Sequence, residues 1–322
     1  MSKAIRITQT GGPEVMNLVD VDVPAPGPGQ VQVRQHACGL NYIDVYFRTG
    51  LYPQALPAGV GQEGSGVITA VGEGVNFLKI GDRVAYAGGP QGSYAELRNL
   101  PAAPVVKLPK NIDFDSAAAM MLKGMTVQYL LRRTYKLQKG QTILFHAAAG
   151  GVGLIAMQWA KALGVTVIGT VGSIAKGELA KANGCDHVIL YNKENVAERV
   201  RDITKGKMVP VVYDSVGKDT FQGSLDSLQP FGLMVSFGNA SGPVPPMPLT
   251  ALKSSLYITR PSLFAHTGTR ANLEEVAGDL FKVVGSGKVK IKIEQRYPLA
   301  DAVKAHQDLE SRKTTGSTVL VP

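Results

Sequence analysis

The segment Thr142–Gly153, with the sequence TILFHAAAGGVG, decides the fold. It predicts a short apolar strand over Thr142–Phe145, a glycine-rich turn, and a helix over Gly151–Leu163 that Gly164 ends. Downstream, short apolar strands alternate with helical stretches, and repeated β-α-β units predict a parallel sheet with right-handed crossovers. The expected strands are Val165–Thr170, His187–Tyr191, Val209–Asp214, Gly232–Phe237 and Ser255–Thr259, and the expected helices are Ile174–Ala182, Asn195–Thr204 and Thr220–Leu228.

The glycine-rich turn has the residues that a dinucleotide site needs. A turn of this kind lets a diphosphate approach the backbone, and it directs the N–H groups of a helix N-terminus at the charge. Gly150 would permit the close approach, and Gly153 would permit tight packing of the helix on the strand. Ala148 stands where the GxGxxG pattern has its first glycine, so the match is imperfect. The strand before the turn and the helix after it favour dinucleotide binding over a tight turn that binds nothing.

The end of the second strand separates NAD from NADP, because NAD sites usually place an acidic residue there to hold the ribose 2′-hydroxyl. Residues 170–177 contain no acid, and Glu178 already lies in the next helix. Ser173 and Lys176 offer a hydroxyl and a cation to a 2′-phosphate. Tyr191 would pack on the adenine or reach the same phosphate. Lys176 also fits an ordinary solvent-exposed helix position. The absence of an acidic residue favours NADP, as Lys176 does, so the sequence predicts NADPH.

The regions before and after the alternating strands and helices have a different sequence pattern. Strand candidates such as Gln30–Gln35 and Gly66–Val71 are separated by turns rich in glycine and proline, which predicts a mostly antiparallel β domain. A helix is expected over Asp113–Arg133. The C-terminal candidates do not continue the rhythm; they are the helices Leu273–Ser286 and Asp301–Ser311 and the strands Lys290–Gln295 and Ser317–Val321. The prediction is therefore a parallel domain at residues 123–265, inserted in a β domain made of residues 1–122 and 266–322.

Length and composition fit this two-domain interpretation. The chain has 322 residues, against about 150 for an average domain, and 44% apolar with 18% charged residues is typical of a globular protein. No apolar run approaches the roughly 20 residues that span a bilayer, and the N-terminal MSKAIRITQTGG lacks the apolar core of a secretory signal. Cys38 and Cys185 cannot form a disulfide scaffold, which favours a reducing, cytoplasmic setting.

The net charge of +9 suits an anionic partner, either a phosphate-rich cofactor or a nucleic acid. The basic residues form no run of five or more, and they are not interleaved with aromatic residues. The chain also contains no RNP-like motif. The sequence therefore argues against a nucleic-acid partner and leaves the cofactor as the expected anion.

The turn AAAGGVG resembles the AxxGxxG signature of the medium-chain dehydrogenases/reductases, and the whole chain resembles their zinc-free NADPH quinone oxidoreductases, the ζ-crystallin-like branch. Apart from the turn, the segments that carry this resemblance are Gly39–Asp44, Gly50–Pro53, Val212–Gly217, Ser236–Asn239 and Tyr257–Leu263. The resemblance implies an α/β architecture, in which a Rossmann domain with a parallel sheet is inserted in a GroES-like, mostly-β domain. It also implies a homodimer that joins two Rossmann sheets through the edge strand near residues 255–259.

The resemblance assigns a set of residues to the NADPH site. Thr126 resembles a position that faces the nicotinamide, and Arg312 resembles a residue that reaches the cofactor phosphates. The alternative for Thr126 is an ordinary threonine of a helix, and the alternative for Arg312 is a surface cation. The expected cofactor-binding residues are Asn41, Thr126, Ala148, Gly150, Gly151, Val152, Gly153, Ser173, Lys176, Tyr191, Ser215, Phe237, Gly238, Asn239, Phe264, His266 and Arg312.

Zinc is not expected. Zinc alcohol dehydrogenases of this superfamily have a cysteine ligand where this chain has Asn41 and a histidine ligand where it has Gln62. The four cysteines that bind their structural zinc have no counterpart. Zinc needs three or four Cys, His or carboxylate ligands at suitable spacing, and the five histidines are scattered. A quinone needs no Lewis acid, because it is already a strong hydride acceptor whose oxyanion is delocalised.

The predicted catalytic residues are Asn41, Tyr46 and Tyr52, which would supply hydrogen-bond donors to the acceptor from one loop region. We expect Tyr52 to orient or protonate the acceptor oxygen, and Asn41 to hold that oxygen or the nicotinamide ribose. The alternatives are a turn-forming role for Asn41 and core packing for Tyr46. Asp44 is expected to be a structural cap and Cys38 a small core residue.

Three functions are open at this point. The first is the reduction of a quinone with NADPH. The second is conjugate reduction of an enal, enone or enoyl thioester by a zinc-free enzyme of the same superfamily, in which a tyrosine would act as proton donor. The third, with the least support, is an RNA-binding or structural role such as has been linked to the ζ-crystallin branch, for which the sequence offers only its positive charge.

Overall fold

The computed structural model describes every residue from Met1 to Pro322. The strands are β1 Ser2–Ile7, β2 Asn17–Val21, β3 Gln30–Leu40, β4 Ala58–Gly59, β5 Glu63–Val71, β6 Arg83–Ala87, β7 Leu97–Pro101, β8 Val105–Lys107, β9 Thr142–Phe145, β10 Thr166–Val171, β11 His187–Leu190, β12 Val209–Asp214, β13 Leu228–Ser236, β14 Tyr257–Thr259, β15 Ile293–Pro298 and β16 Ser317–Val321. The helices are α1 Tyr42–Thr49, α2 Phe114–Tyr129, α3 Gly151–Ala162, α4 Ile174–Ala182, α5 Val196–Ile203, α6 Phe221–Asp226, α7 Leu263–His266, α8 Arg270–Gly285 and α9 Ala302–Glu310. No helix combines the length and the apolar character needed to cross a bilayer.

The chain divides into two compact units. The first consists of Met1–Met125, Thr267–Gly285 and Ile291–Pro322, and the second of Thr126–His266 and Ser286–Lys290. The sequence-based division differs, since it cuts after residues 122 and 265 and leaves 286–290 in the first domain. The reason is local: the Gln158 side chain on α3 donates to Lys290 O (3.0 Å) and accepts from Lys290 N (2.8 Å), which fixes this segment to the second unit.

The second unit is built on a six-stranded parallel sheet in the order β11-β10-β9-β12-β13-β14. The strands read as continuous apolar runs because both faces of a parallel sheet are buried. Leu144, Ile168, Val212 and Met234 from four neighbouring strands are fully buried in its core. The predicted Rossmann-type sheet is therefore confirmed, with β14 at one edge.

Several predicted boundaries in this unit differ from the structure by one to four residues, and β13 begins at Leu228 rather than Gly232. The last strand begins at Tyr257 rather than Ser255, because Lys253–Ser255 forms a 3-10 turn in which Ser254 and Ser255 have positive φ angles. The helix predicted over Thr220–Leu228 ends at Asp226, and Leu228 already belongs to β13.

The first unit contains a seven-stranded and a three-stranded sheet. The larger has the order β15-β16-β3-β5-β6-β8 with β7 also paired to β3, and the smaller has the order β2-β1-β4. All pairs are antiparallel except β15 with β16, so the mostly antiparallel prediction is confirmed. The C-terminal strand β16 pairs with β3, which explains why the end of the chain returns to this unit. The predicted strand Lys290–Gln295 was misplaced, since β15 covers Ile293–Pro298.

Candidate active site and cofactor turn

The glycine-rich turn after β9 has the geometry of a tight strand-to-helix connection. Ala147 has a positive φ angle of 55°, and Gly150 is the N-cap of α3 without any side chain to satisfy the helix N–H groups. A Cβ atom on Gly153 would lie 2.4 Å from Ala147 O and 2.6 Å from Ala148 C, so only glycine fits there. The first helical hydrogen bond runs from Leu154 N to Gly150 O. The N–H groups of the first helical turn are therefore left for an external acceptor, as a diphosphate would be.

A buried polar network begins at His146, the first residue after β9, and no local sequence motif revealed it. His146 is fully buried, with Nδ1 2.9 Å from Thr170 Oγ1 and Nε2 3.0 Å from Ser224 Oγ. Ser224 in turn donates to the Asp214 carboxylate (2.7 Å). Burial lowers the pKa of His146, which favours the neutral imidazole, and the ring connects the residue after β9 to β10 and α6. The network fixes the ends of the strands that surround the turn.

The residues predicted to recognise a 2′-phosphate gather at the end of β10. Ser173 is the N-cap of α4, and its Oγ accepts from Lys176 N (3.3 Å). A Cβ atom on Gly172 would lie 2.6 Å from Tyr191 Oη, so the Tyr191 hydroxyl lies beside the same strand end. Ser173 and Tyr191 are both exposed, which leaves them accessible to a ligand.

The loops after β12 and β13 also meet. A Cβ atom on Gly238 would lie 2.5 Å from Ser215 O, and Phe237 N donates to Asp214 O (2.8 Å). Asn239, in the orientation that satisfies its amide, accepts from the Arg260 guanidinium at 3.0 Å. The predicted loop residues Ser215, Phe237, Gly238 and Asn239 are thus brought together at the carboxyl ends of neighbouring strands.

The remaining predicted residues of the second unit lie near its two chain boundaries. Thr126 is buried on α2, and the ring of Tyr129, one turn later, stacks on His266 with 4.5 Å between ring centroids. Burial lowers the pKa of His266, and the nearby Arg133 charge lowers it further. Phe264 is exposed. Arg312 belongs to the first unit, where it is exposed just after α9.

In the first unit, α1 positions the predicted catalytic tyrosines. This helix was not predicted; it begins at an Asn41 N-cap, closed by a capping box with Asp44, and ends at Gly50 in the left-handed conformation. The Tyr46 and Tyr52 rings pack edge to face with 5.2 Å between centroids, and Tyr52 N donates to Tyr46 O (3.0 Å). Tyr46 is buried and Tyr52 half-buried, so the two share one cluster but only Tyr52 has substantial access.

Asn41 is held by a buried ion pair. Its Nδ2 donates to Glu63 Oε2 (2.6 Å) and lies 3.4 Å from Gly39 O, while Lys123 Nζ lies 3.5 Å from the same Glu63 oxygen. Burial raises the pKa of Glu63, and the Lys123 charge opposes that rise. To donate to an acceptor molecule, as the sequence analysis expects, Asn41 would first have to release one of these oxygens.

A second polar chain connects Asp44 to α9. Asp44 Oδ2 accepts from Asn41 N (2.9 Å) and from Tyr94 Oη (2.8 Å), which agrees with the expected cap. Tyr94 Oη lies 3.2 Å from His306 Nε2, and Arg48 Nη1 lies 3.1 Å from His306 Nδ1. Tyr94, Arg48 and His306 are buried and were missed, because they are far apart in sequence and form no local motif.

The residues at the Asn41 position do not fit a zinc ion. Asn41 and Gln62 are neutral amides, and the cation that pairs with the Glu63 carboxylate is the ammonium group of Lys123. Nowhere in residues 1–322 do three or more His, Cys, Asp or Glu side chains gather as a metal-binding group.

The chain matches two family profiles, that of the alcohol dehydrogenase GroES-like domain at residues 27–110 and that of the zinc-binding dehydrogenases at residues 151–279. It is 55% identical to a quinone oxidoreductase of Pseudomonas aeruginosa, with 100% of both chains covered. It is 43% identical to a 2-haloacrylate reductase of Burkholderia sp., with 100% of this chain and 99% of the relative covered. A crystal structure of Escherichia coli quinone oxidoreductase complexed with NADPH is 50% identical and covers 99% of this chain and 100% of its own, with a TM-score of 0.98.

Proposed function

We propose that this chain, which belongs to the quinone oxidoreductase family of the medium-chain dehydrogenases/reductases, transfers reducing equivalents from NADPH to a quinone. The observation that carries the proposal is a tight dinucleotide turn, with Gly153 packed against backbone, in a chain that matches quinone oxidoreductases over its full length. The chain is an oxidoreductase; the cofactor and the acceptor are the proposed part.

The choice of NADPH rests on the end of β10. No acidic residue is present there to hold a ribose 2′-hydroxyl, whereas Ser173 caps α4 at that strand end, Lys176 lies in the first turn of the same helix, and the Tyr191 hydroxyl lies beside Gly172. A hydroxyl, an ammonium and a phenol suit a 2′-phosphate. The related Escherichia coli structure, which contains NADPH, supports the same choice.

The chemistry asked of this chain is mainly positioning. When bound, NADPH supplies the hydride. The Tyr52 phenol would hold or protonate the acceptor oxygen, and the Tyr46 ring against its edge restricts its orientation. Asn41 would meet the nicotinamide half of the cofactor. We propose that no zinc takes part, since the Asn41 and Gln62 side chains are poor ligands for it.

We also propose a homodimer through β14 and a cytoplasmic location. The β14 strand pairs only with β13, and its Tyr257 and Ile258 side chains are 59% and 37% exposed. An open strand edge with apolar side chains is suited to pairing with a second copy. Both cysteines are free and buried, which suits a reducing compartment.

The proposal is tested by NADPH oxidation with the purified protein. Parallel assays use 1,4-benzoquinone, 9,10-phenanthrenequinone and a 2-alkenal, with NADH in place of NADPH and with EDTA as controls. We expect turnover of the quinones, a preference for NADPH over NADH, and no loss with EDTA. Turnover of the alkenal alone, or no turnover of any acceptor, would refute the quinone assignment.

A second candidate is conjugate reduction of an activated alkene. The full-length match to a 2-haloacrylate reductase favours it, because that relative's substrate carries a carbon–carbon double bond next to a carboxylate. Carbon protonation after hydride addition needs an acid more than quinone reduction does, and Tyr52 is the accessible phenol of the cluster.

Replacing Tyr52 with phenylalanine separates the two candidates. For a quinone we expect a loss of less than about tenfold in kcat/KM, and for an alkenal a loss of about 100-fold or more, which is the usual contribution of a general acid. The comparison is made by steady-state kinetics on both acceptors. Tyr297→Phe is the matched control, since it removes a phenol that donates to Asp308 elsewhere in the first unit. Equal losses for both acceptors would contradict the proton-donor assignment.

A further inference from the structure

We propose that Glu63 and Lys123 are positioning residues of this active site, whose buried ion pair turns the Asn41 carboxamide so that its oxygen faces the nicotinamide half of the cofactor. This inference rests on the proposed NADPH site. Neither residue belongs to the set expected from the sequence. Both lie in the first unit together with Asn41, Glu63 at the start of β5 and Lys123 on α2.

The hydrogen bonds of Asn41 leave it no donor. Its Nδ2 lies 2.6 Å from Glu63 Oε2 and 3.4 Å from Gly39 O, so each amide hydrogen has an acceptor. The contact with Glu63 is the short, charge-assisted kind that fixes orientation. The capping box turns Oδ1 toward Asp44 N, and a carboxamide oxygen has a second lone pair for another donor. Asn41 can therefore offer a ligand only an acceptor.

Lys123 keeps the carboxylate in the state that this arrangement needs. Glu63 is fully buried, which raises its pKa and favours protonation. Lys123 Nζ lies 3.5 Å from Glu63 Oε2 and 3.1 Å from Leu40 O, so its charge opposes that effect. The other ionisable groups that face Glu63 are Asp44 on α1 and the Tyr94 phenol. Among them only Lys123 favours the ionised form.

The protonation state of Glu63 decides which atom Asn41 presents. An ionised carboxylate only accepts hydrogen bonds, so it binds the amide nitrogen. A protonated carboxyl can donate to Oδ1 and would let the amide turn over, which presents its N–H groups instead. The ligand partner of an acceptor must be a donor, such as a ribose hydroxyl or the carboxamide N–H of nicotinamide. Quinone carbonyl oxygens have no such hydrogen.

Two variants test the pair by different routes. Glu63→Gln keeps the shape but must direct an N–H at either Asn41 or the Leu122 N–H, which now donates to Glu63 Oε1 (2.8 Å). Lys123→Met keeps Glu63 and removes the charge that opposes its protonation. Lys107→Met is the matched control, because it removes a lysine from an Asp82 pair in the same unit.

The measurement is calorimetric titration of the full chain with NADP⁺ and with adenosine 2′,5′-bisphosphate, which lacks the nicotinamide half. For Glu63→Gln we expect NADP⁺ to bind about fivefold to tenfold more weakly, the loss of about one hydrogen bond, and the bisphosphate to bind unchanged. For Lys123→Met we expect NADP⁺ affinity to recover as the pH is raised from 6 to 9, with a midpoint above that of the wild type. Lys107→Met should follow the wild type throughout.

The inference is overturned if Glu63→Gln binds NADP⁺ like the wild type, if both ligands weaken equally, or if Lys123→Met shows no pH-dependent recovery. Equal weakening would mean a general loss of structure, and thermal denaturation of each variant reports that separately. A wild type that binds NADP⁺ but reduces no quinone would refute the proposed acceptor and leave this inference standing. A wild type that binds no NADP⁺ would refute both.

Discussion

Replacing Gly153 with valine is expected to lower the affinity for NADPH at least about 100-fold. The added Cβ would lie 2.4 Å from Ala147 O and 2.6 Å from Ala148 C, and both are backbone atoms that cannot rotate away. The turn must shift, and with it the N–H groups of the first turn of α3. Losing two hydrogen bonds to a charged diphosphate, each worth about 1.5–3 kcal/mol, accounts for the expected change. Titration calorimetry with NADPH measures it directly.

Two other glycines provide the controls for this variant. Gly278→Ala places a methyl group in open space on α8, so we expect unchanged NADPH affinity and up to about 1 kcal/mol of added stability. Gly150→Ala brings a Cβ to 3.3 Å from Ala147 O, a milder contact that predicts an intermediate loss. A valine variant at 153 that is folded by circular dichroism and still binds NADPH normally would show that the phosphates bind elsewhere.

The helices of the Rossmann-type unit were predictable because their ends carry local signals. The predicted α4, Ile174–Ala182, agrees with the structure at both ends, where Ser173 caps the helix with its hydroxyl. The prediction for α5 differs by one residue at each end, since Asn195 and Thr204 are its caps. Such signals act over three or four residues, so a single sequence contains them. The parallel direction of the strands followed from the βα rhythm for the same reason, whereas their order in the sheet was not predicted.

Elements that depend on distant partners were not predictable in this way. The segment Ser286–Lys290 joins the second unit through Gln158, more than 120 positions earlier in the chain. Helix α1 is short and rich in aromatic residues, and its ends are a capping box and Gly50. No local pattern reveals that Arg48 meets His306, which lies 258 positions away.

The same limit applies to the candidate active site. The sequence identifies Asn41 and Gln62 as poor zinc ligands, but it cannot show which cation forms an ion pair with Glu63. Lys123 is 60 positions from Glu63, and only the fold brings the ammonium to the carboxylate. Because of this contact, Asn41 offers a ligand a hydrogen-bond acceptor rather than a donor. Residue types at a motif therefore predict the class of chemistry, whereas the direction of each hydrogen bond requires the packed structure.

The largest expected effect on stability concerns His306 and pH. Burial and the neighbouring Arg48 charge lower its pKa from 6.5 to about 3 in the folded chain. The His306 side chain therefore binds a proton near pH 6.5 in the unfolded chain but not in the folded chain. As a result, it lowers the free energy of unfolding as the pH falls from 6.5 toward 3. The slope is about 1.4 kcal/mol per pH unit, or about 3 kcal/mol between pH 6 and pH 4. Asp44 acts in the opposite direction, because burial raises its pKa to about 7 and its contribution is lost as the pH rises.

Because these two effects partly cancel in the wild type, the prediction is made for the difference between two proteins. Glutamine at position 306 can accept from Arg48 through Oε1 and donate to Tyr94 through Nε2, but it cannot take up a proton. We therefore expect the unfolding free energy of His306→Gln, relative to the wild type, to rise by about 3 kcal/mol as the pH is lowered from 6 to 4. Urea denaturation at several pH values measures this difference. His187→Gln, which removes an exposed imidazole, should follow the wild type. Parallel curves for His306→Gln and the wild type would mean that the buried imidazole already carries its proton in the folded chain, and the polar chain from Asp44 to Arg48 would then need the opposite set of donors.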